Sequence, residues 1–294
     1  MVIIRVVGGL GNQMFQYALG RALSIKLGVV FKLDLLSFDS QQIHNGFELD
    51  KVFNCEVDIA AQQDIKEILG WQSLSFINKF IFSPYFSRLR KSSIIIEPHY
   101  HYWEGINNIL DNSYLVGYWQ SEKYFKYIKE QINKDFTFKV PLDHKNRYYA
   151  KLIQKFNSVS IHVRRGDYMK NVKTYKTHGV CNNEYYDKAL TNILKKVKNP
   201  HFFIFSDDIK QAKSIIKKID YPCYFVGNNQ GIYSYNDMKL MSMCKHNIIA
   251  NSSFSWWAAW LNLNSDKIVI APKQYLADKS YNIKDLFPLE WIKI

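Results

Sequence analysis

Cysteine is scarce in this chain, and what there is does not pair by spacing. Cys55, Cys181, Cys223 and Cys244 are the only four among 294 residues, and no two stand in a C-x-x-C arrangement. That argues against a zinc site and suggests no disulfide framework, so a reducing cytosol is the expected compartment. Long apolar runs are missing too. The most apolar stretch, FSWWAAWLNL at 254–263, is far short of the roughly 20 residues needed to span a bilayer. The first residues, MVIIRVVGGLGNQ, lack a cationic segment followed by an apolar stretch and a cleavage site, so no secretion signal is expected. Acidic residues are outnumbered, 26 against 39 lysines and arginines, which leaves a formal net charge of +13. Such an excess favours acidic partners: nucleic acid, anionic lipid or a phosphorylated substrate. A basic nucleic-acid-binding module is therefore an alternative function class. It needs basic and aromatic residues interleaved on one face, whereas Lys195, Lys196, Lys198, Lys210, Lys213, Lys217 and Lys218 are scattered along predicted helices and read as solvated. No nucleic-acid partner is expected.

What is present is alternation. SVSIHV at 158–163, HFFIFS at 201–206, CYFV at 223–226, NIIA at 247–250 and KIVIA at 267–271 read as short buried strands. Between them run helical patterns: 183–197, a helix capped by Asp208, one ending near Cys244, and SFSWWAAWLN at 253–262. The N-terminal half starts the same way, with strands at 2–7, 29–34 and 113–119, a helix carrying Phe15, Leu19, Ala22, Leu23 and Leu27 on one stripe, and a helix from about Ser121 with Phe125, Ile128 and Ile132 inward. Residues 71–105 are aromatic-rich and fit neither period. Repeated β-α units imply parallel sheets covered by helices on both faces, with ligands beyond the carboxyl ends of the strands. The expected fold class is α/β, as an N-terminal α/β domain over 1–142 and a C-terminal one over 143–294, facing one another across a cleft.

Four stretches carry chemistry. SIHVRRGDY at 160–168 ends a buried strand with charge, which demands a charged partner. Arg164 and Arg165 alternate sides, so one can reach a ligand phosphate bidentately while the other braces a carboxylate. Asp167 can orient an arginine, and His162 can meet a base or ribose. VVGGLGNQMFQYALG at 6–20 is a strand, a glycine loop and a helix, and Gly9 and Gly11 allow close backbone approach. It is not G-x-G-x-x-G, since Met14 stands where the third glycine belongs, and no Lys-Ser/Thr follows to make a phosphate loop, so both nucleotide fingerprints are rejected. Asn12 and Gln13 are the better polar candidates there. In FFIFSDD at 202–208, Asp207 and Asp208 could hold a metal through a diphosphate, but adjacent acids before a helix favour capping. In NSSFSWWAAWLN at 251–262, Ser252 and Ser253 can cap a phosphate at a helix start, and Trp256, Trp257 and Trp260 read as core.

Taken in order, GGLGNQMFQYALGRALS, HVRRGD and NSSFSWWAAWLN resemble the bacterial α-1,2-fucosyltransferases of glycosyltransferase family 11. The HxRRxD element is shared with the wider fucosyltransferase superfamily, and the tryptophan-rich segment narrows the resemblance, which covers essentially the whole chain. It implies a GT-B fold of two Rossmann-like domains, GDP-β-L-fucose as donor, inversion at the anomeric carbon and no essential metal or other cofactor. It implies a terminal galactose as acceptor, in an oligosaccharide that can be lipid-linked, with another linkage, acceptor or 6-deoxyhexose donor as the alternative within the same class. O-antigen building is the usual setting, with capsule or host-glycan mimicry as alternatives, in the cytoplasm with peripheral contact at the inner membrane face. By the same resemblance Arg164 is the phosphate-binding arginine. His162 and Asp237 face the guanosine. Ser252 and Ser253 meet the diphosphate, and Asn251, Phe254, Arg165, Gly9, Gly11 and Gln13 complete the donor-binding set. Asn12 approaches the fucose and acceptor, and Asp167 completes the catalytic set. Relatives with an identified base carry an acid shortly after HxRRxD or in the N-terminal domain. YMKNVKTYK follows Asp167 here, which leaves Asp34, Asp39, His44 and Glu48 as base candidates, each also readable as structural.

Overall fold

The computed structural model describes residues 1–39, 45–165, 179–216, 219–278 and 280–294. The chain forms two units, Met1–Lys139 with Ile283–Leu286, and Val140–Asn282 with Phe287–Ile294. The division thus falls at 139/140 rather than 142/143, and a short C-terminal segment returns to the first unit. Among the described residues no helix is long and apolar enough to cross a membrane.

The first unit is a four-stranded parallel sheet of β1 (Val2–Arg5), β2 (Phe31–Asp34), β3 (Ile94–Ile96) and β4 (Ser113–Val116), in the order β2-β1-β4-β3. The helix α1 (Leu10–Leu27) packs on Ile4 and Phe31. Ile3, Ile94 and Tyr114 instead join Ile65, Ile68 and Leu69 of α2 (Gln62–Leu69) and Ile81 of α3 (Ser75–Ile81). Ile3 and Ile4 point to opposite faces, so the helices cover both sides of the sheet. The aromatic-rich stretch that fits no period in sequence contributes α3 and the edge strand β3. The helix expected from Ser121 is broken: Ser121 caps a short 3-10 turn, accepting from the Lys123 N–H at 3.3 Å, and Phe125 at φ −138° interrupts the run before α4 (Lys129–Asp135) begins.

The second unit opens with α5 (His144–Lys155), a helix without a clear signal in the sequence because it starts at the expected domain boundary. Six parallel strands follow in the order β10-β9-β8-β5-β6-β7: β5 (Asn157–Val163), β6 (Pro200–Ser206), β7 (Cys223–Val226), β8 (His246–Ile248), β9 (Val269–Ala271) and β10 (Ile292–Lys293). The helices between them are α6 (Asn183–Leu194), α7 (Ile209–Ile215), α8 (Tyr235–Met243) and α9 (Ser253–Trp260). Strand β5 explains the layout. Val159, Ile161 and Val163 point into the apolar cluster around Tyr186, Ile193 and Ile204. The alternate row is polar yet buried: the Ser158 Oγ accepts from the Lys245 N–H at 3.1 Å and the Ser160 Oγ from the Asn247 Nδ2 at 2.7 Å. His162 is the next residue in that row. Trp256 and Trp257 are fully buried and Trp260 nearly so, which places all three in the core as expected.

Candidate active site

The carboxyl edge of the second sheet gathers the charged residues. Where β5 ends against β6, the Arg165 N–H donates to Asp207 Oδ1 at 2.8 Å, and the Arg164 Nη1 lies 3.1 Å from Asp207 Oδ2. One carboxylate therefore organises both arginines. Their side chains diverge, as alternation requires. Arg164 keeps about a quarter of its side chain exposed, at 24%. Arg165 is buried and donates from Nη2 to the Cys181 carbonyl at 2.6 Å, a contact with the scaffold. Asp208 accepts from the Gln211 N–H at 3.0 Å and caps α7. Both adjacent aspartates thus have protein partners, and among the described residues no group of three or more His, Cys, Asp or Glu is placed to hold a metal ion. Asp167 lies outside the described residues.

His162 is buried next to this pair. Burial, then the Arg164 charge, push its imidazole down to about 3, so the ring is neutral near neutral pH. Its Nδ1 is buried without a hydrogen-bond partner, and its ring centroid lies 5.9 Å from that of Phe254. Phe254 belongs to the first turn of α9. There the Ser252 backbone occupies the cap position, but its hydroxyl does not cap the helix. The first-turn N–H groups of α9 and the Ser252 hydroxyl are the kind of donor set that suits an anion. Asn251 holds the approach to the helix, donating to the Gly179 carbonyl at 3.2 Å and the Tyr275 carbonyl at 3.3 Å, and accepting from the Cys181 thiol at 3.5 Å. Through Cys181, Asn251 is linked to Arg165. The structure thus brings His162, Arg164, Arg165, Asn251, Ser252 and Phe254 to one place, with Ser253 beginning the helix.

Asp237 lies on the first turn of α8. Its Oδ1 accepts from the Asn229 Nδ2 at 2.7 Å, and Asn229 pairs with Asn146 of α5 at 2.9 Å. This asparagine network was not visible in sequence, because Asn146 is more than eighty positions from its partners. Burial pushes the Asp237 carboxyl up to about 8, against the pull of the Asn229 bond. A carboxyl raised in the fold holds its proton more tightly folded than unfolded, so its contribution to stability is full below the ordinary carboxylate range and fades as pH climbs towards 8. Asp237→Asn removes that titration and keeps an acceptor for Asn229. The wild type should lose melting temperature relative to the variant between about pH 5 and pH 8.5, and parallel curves would contradict the assignment.

In the first unit the glycine loop also has a defined geometry. Gly8 sits at φ +82°, and a Cβ there would lie 2.6 Å from the Asn12 Nδ2, so the turn requires glycine. Gly9 caps α1, its carbonyl accepting from the N–H groups of Asn12 at 2.8 Å and Gln13 at 3.1 Å, and Gly11 is buried in the first turn. The Asn12 Oδ1 accepts from the Gln120 Nε2 at 2.8 Å, which ties the loop after β1 to the one after β4. Gln13 is fully buried; its amide donates to the carbonyls of Gly8 at 3.0 Å and Gly46 at 2.8 Å and accepts from the Glu48 N–H at 2.9 Å. Those bonds make it a pin for the 45–48 segment. Of the base candidates, Asp34 is buried and accepts from the Tyr114 hydroxyl and from the Leu36 N–H at 2.9 Å, as a structural carboxylate does. Glu48 is buried too, held by Asn45 at 3.1 Å. His44 and the Asp39 side chain lie outside the described residues.

A family model described as Glycosyl transferase family 11 matches residues 88–294. The chain is 38% identical to an Escherichia coli alpha-1,2-colitosyltransferase, covering 100% of this chain and 99% of the relative. It is 34% identical to the Escherichia coli O-antigen biosynthesis glycosyltransferase WbnK, over 98% of each chain. The mouse galactoside 2-alpha-L-fucosyltransferase Sec1 is 26% identical, over 92% of this chain and 67% of the relative. Among solved structures, fucosyltransferase NodZ from Bradyrhizobium superposes with a TM-score of 0.50 at 12% identity, over 87% of this chain and 91% of that one, and shares the GT-B-like α/β fold. The ordered motifs, the two parallel-sheet units and the full-length relatives agree: the chain belongs to glycosyl transferase family 11 and is a glycosyltransferase.

Proposed function

We propose that the enzyme is an inverting α-1,2-glycosyltransferase that moves L-fucose from GDP-β-L-fucose to the 2-hydroxyl of a terminal galactose during O-antigen assembly. The observation that carries this reading is the Arg164–Asp207 pair beside a neutral His162 at the carboxyl end of β5. Departure of GDP builds negative charge on the β-phosphate, and a guanidinium held in place by a carboxylate meets that charge without reorganising. The N-terminal turn of α9, with Ser252 and Ser253, adds N–H and hydroxyl donors to the same diphosphate. Arg164 supplies the cation that a divalent ion would otherwise provide, so transfer proceeds without metal. Asp237 and His162 select the guanosine. The names of the E. coli relatives favour the O-antigen setting, and the name of the mouse relative favours a galactoside acceptor.

One specific observation favours a second donor. The 38% identical full-length relative is named for colitose, a sugar that differs from fucose by the missing 3-hydroxyl. GDP release should be measured from GDP-fucose and GDP-colitose, with and without galactosides and in excess EDTA, and products typed by linkage. Galactoside-dependent release from GDP-fucose in EDTA supports the reading. Release from GDP-colitose alone replaces the donor, a requirement for divalent ion removes the metal-free mechanism, and no release from either removes the function.

The exposed side chains of 71–89 support contact with an anionic membrane surface. Trp71, Phe76, Phe80, Tyr85 and Leu89 are each more than half exposed, with Phe76 and Phe80 one helical turn apart on α3 and exposed Arg88 near by in sequence. Aromatic and basic side chains together suit a lipid headgroup region. The protein should sediment with phosphatidylglycerol vesicles, and Phe76→Ser/Phe80→Ser should abolish it; equal sedimentation of the variant sinks the idea.

A further inference from the structure

We propose that a cleft on the α1 side of the first unit is a second binding site, which takes an acidic saccharide: a sugar ring carrying a carboxylate or a phosphate. Its lining residues alone carry this assignment, whatever donor or linkage the transferase uses. The cleft has a volume of about 330 Å³, at the low end of the roughly 300–1,000 Å³ that holds small-molecule ligands. Leu23 and Lys26 come from the C-terminal half of α1, and Ile106 and Asn107 from the 3-10 turn Glu104–Asn108. Tyr102 and the segment 123–127 close it.

Its place in the fold sets it apart from the strand ends. Helix α1 begins beyond the carboxyl end of β1 and runs back, so Leu23 and Lys26 lie towards the amino edge of the sheet. At that edge the Val2 N–H donates to the Val30 carbonyl and the Asn112 N–H to the Met1 carbonyl, each at 2.9 Å. Reacting ligands of such sheets sit beyond the opposite, carboxyl edge. The helix with the exposed Phe76 and Phe80, α3, packs on the Ile3 face through Ile81, whereas α1 packs on Ile4. The cleft does not continue that aromatic surface, which favours a soluble occupant over a lipid headgroup.

The floor is apolar and the rim polar. Leu23, Ile106 and Tyr124 are buried, and Tyr127 is 59% exposed above them. Three tyrosine rings form walls, and each hydroxyl is tied down. Tyr102 accepts from the Asn107 Nδ2 at 3.1 Å, Tyr124 accepts from the Trp103 N–H at 3.0 Å, and Tyr127 donates to the Ala22 carbonyl at 2.6 Å. Rings fixed in this way offer flat apolar faces at little cost in conformational freedom, which suits the C–H face of a pyranose. Among the described residues two ammonium groups and no carboxylate line the cleft. The Lys26 Nζ donates to two neutral acceptors, the Asn107 carbonyl at 3.1 Å and its Oδ1 at 3.0 Å, and among the described residues it forms no ion pair. Lys123 is paired at 2.6 Å with Asp285, which also accepts from the Tyr102 N–H at 3.1 Å. That carboxylate sets the Lys123 ammonium 5.8 Å from the Tyr102 ring centroid, a charge for an acid group beside a face for its ring.

The test titrates the full-length protein with galacturonate, galactose 6-phosphate and methyl galactoside, read by saturation transfer to the sugar protons. Transfer to one or both acids, with little to the neutral galactoside, is the expected result, and the stronger acid identifies the anionic group. Lys26→Gln removes the charge but keeps a donor for Asn107, and should weaken acid binding by about tenfold. Tyr127→Ser removes a wall and should weaken it by several-fold. Both side chains are exposed, so the melting temperature should hold, and where one variant fails to fold the other decides. Four results would overturn the proposal: no transfer to either acid, equal transfer to methyl galactoside, displacement of the acids by equimolar inorganic phosphate, or acid binding unchanged in a folded variant, which would place the sugar elsewhere on the protein.

Discussion

Arg164→Ala is expected to lower kcat at saturating donor by about 10²–10³-fold, the loss typical of removing one group aimed at developing charge. The melting temperature should hold within a few degrees, because a partly exposed ion pair contributes little to stability. Asp207 keeps the Arg165 N–H as a partner at 2.8 Å, so the variant strands no buried carboxylate. Arg164→Lys should recover little: an ammonium cannot reproduce the planar fork that meets a phosphate bidentately and leans on Asp207. Steady-state GDP release and thermal unfolding on the same preparations check both halves. Near-wild-type turnover in either variant would remove Arg164 from the chemistry, and a collapsed melting temperature would make its role structural.

The second large effect concerns stability. Trp256 is fully buried, with ring centroids 5.1 Å from Trp257, 6.4 Å from Trp260 and 5.4 Å from Trp291. Trp256→Ala removes the centre of that stack and leaves a cavity, at a cost of about 3–5 kcal/mol. For a unit of this size each kcal/mol moves the melting temperature by roughly 2–4 °C. A drop of about 6–20 °C is therefore expected, with nucleotide affinity at low temperature retained. Lost nucleotide binding with an unchanged melting temperature would instead make the indole part of the ligand site.

Much of the second unit was legible because its local signals agree. Strand patterns, the Asp208 cap and the buried tryptophans all come from short-range periodicity and capping chemistry. The arginines were readable for the same reason, since charge at the end of a buried strand is anomalous on its face. Asp207 as their common partner was hidden: its neighbour Asp208 had a capping role, and nothing in one sequence says that β6 pairs with β5. Gln13 looked like a ligand contact because polar residues after a glycine loop usually face out, but this one turns inward to backbone carbonyls. The setting of Glu97 was illegible too: it lies in a stretch without period, and its carboxylate accepts from the Tyr118 and Trp119 N–H groups about twenty positions away. Strand β3 is three residues long, too short to announce itself.

The return of Ile283–Leu286 to the first unit has a practical consequence for engineering. Asp285 accepts from the Ser121 hydroxyl through its carbonyl at 2.6 Å, from the Lys123 ammonium at 2.6 Å and from the Tyr102 N–H at 3.1 Å. A fragment ending at Lys139 is missing this clasp, and one starting at Val140 carries it with nothing to fasten. A chimera that exchanges the C-terminal unit for a relative's must splice on both sides of this four-residue insert and leave it with its host.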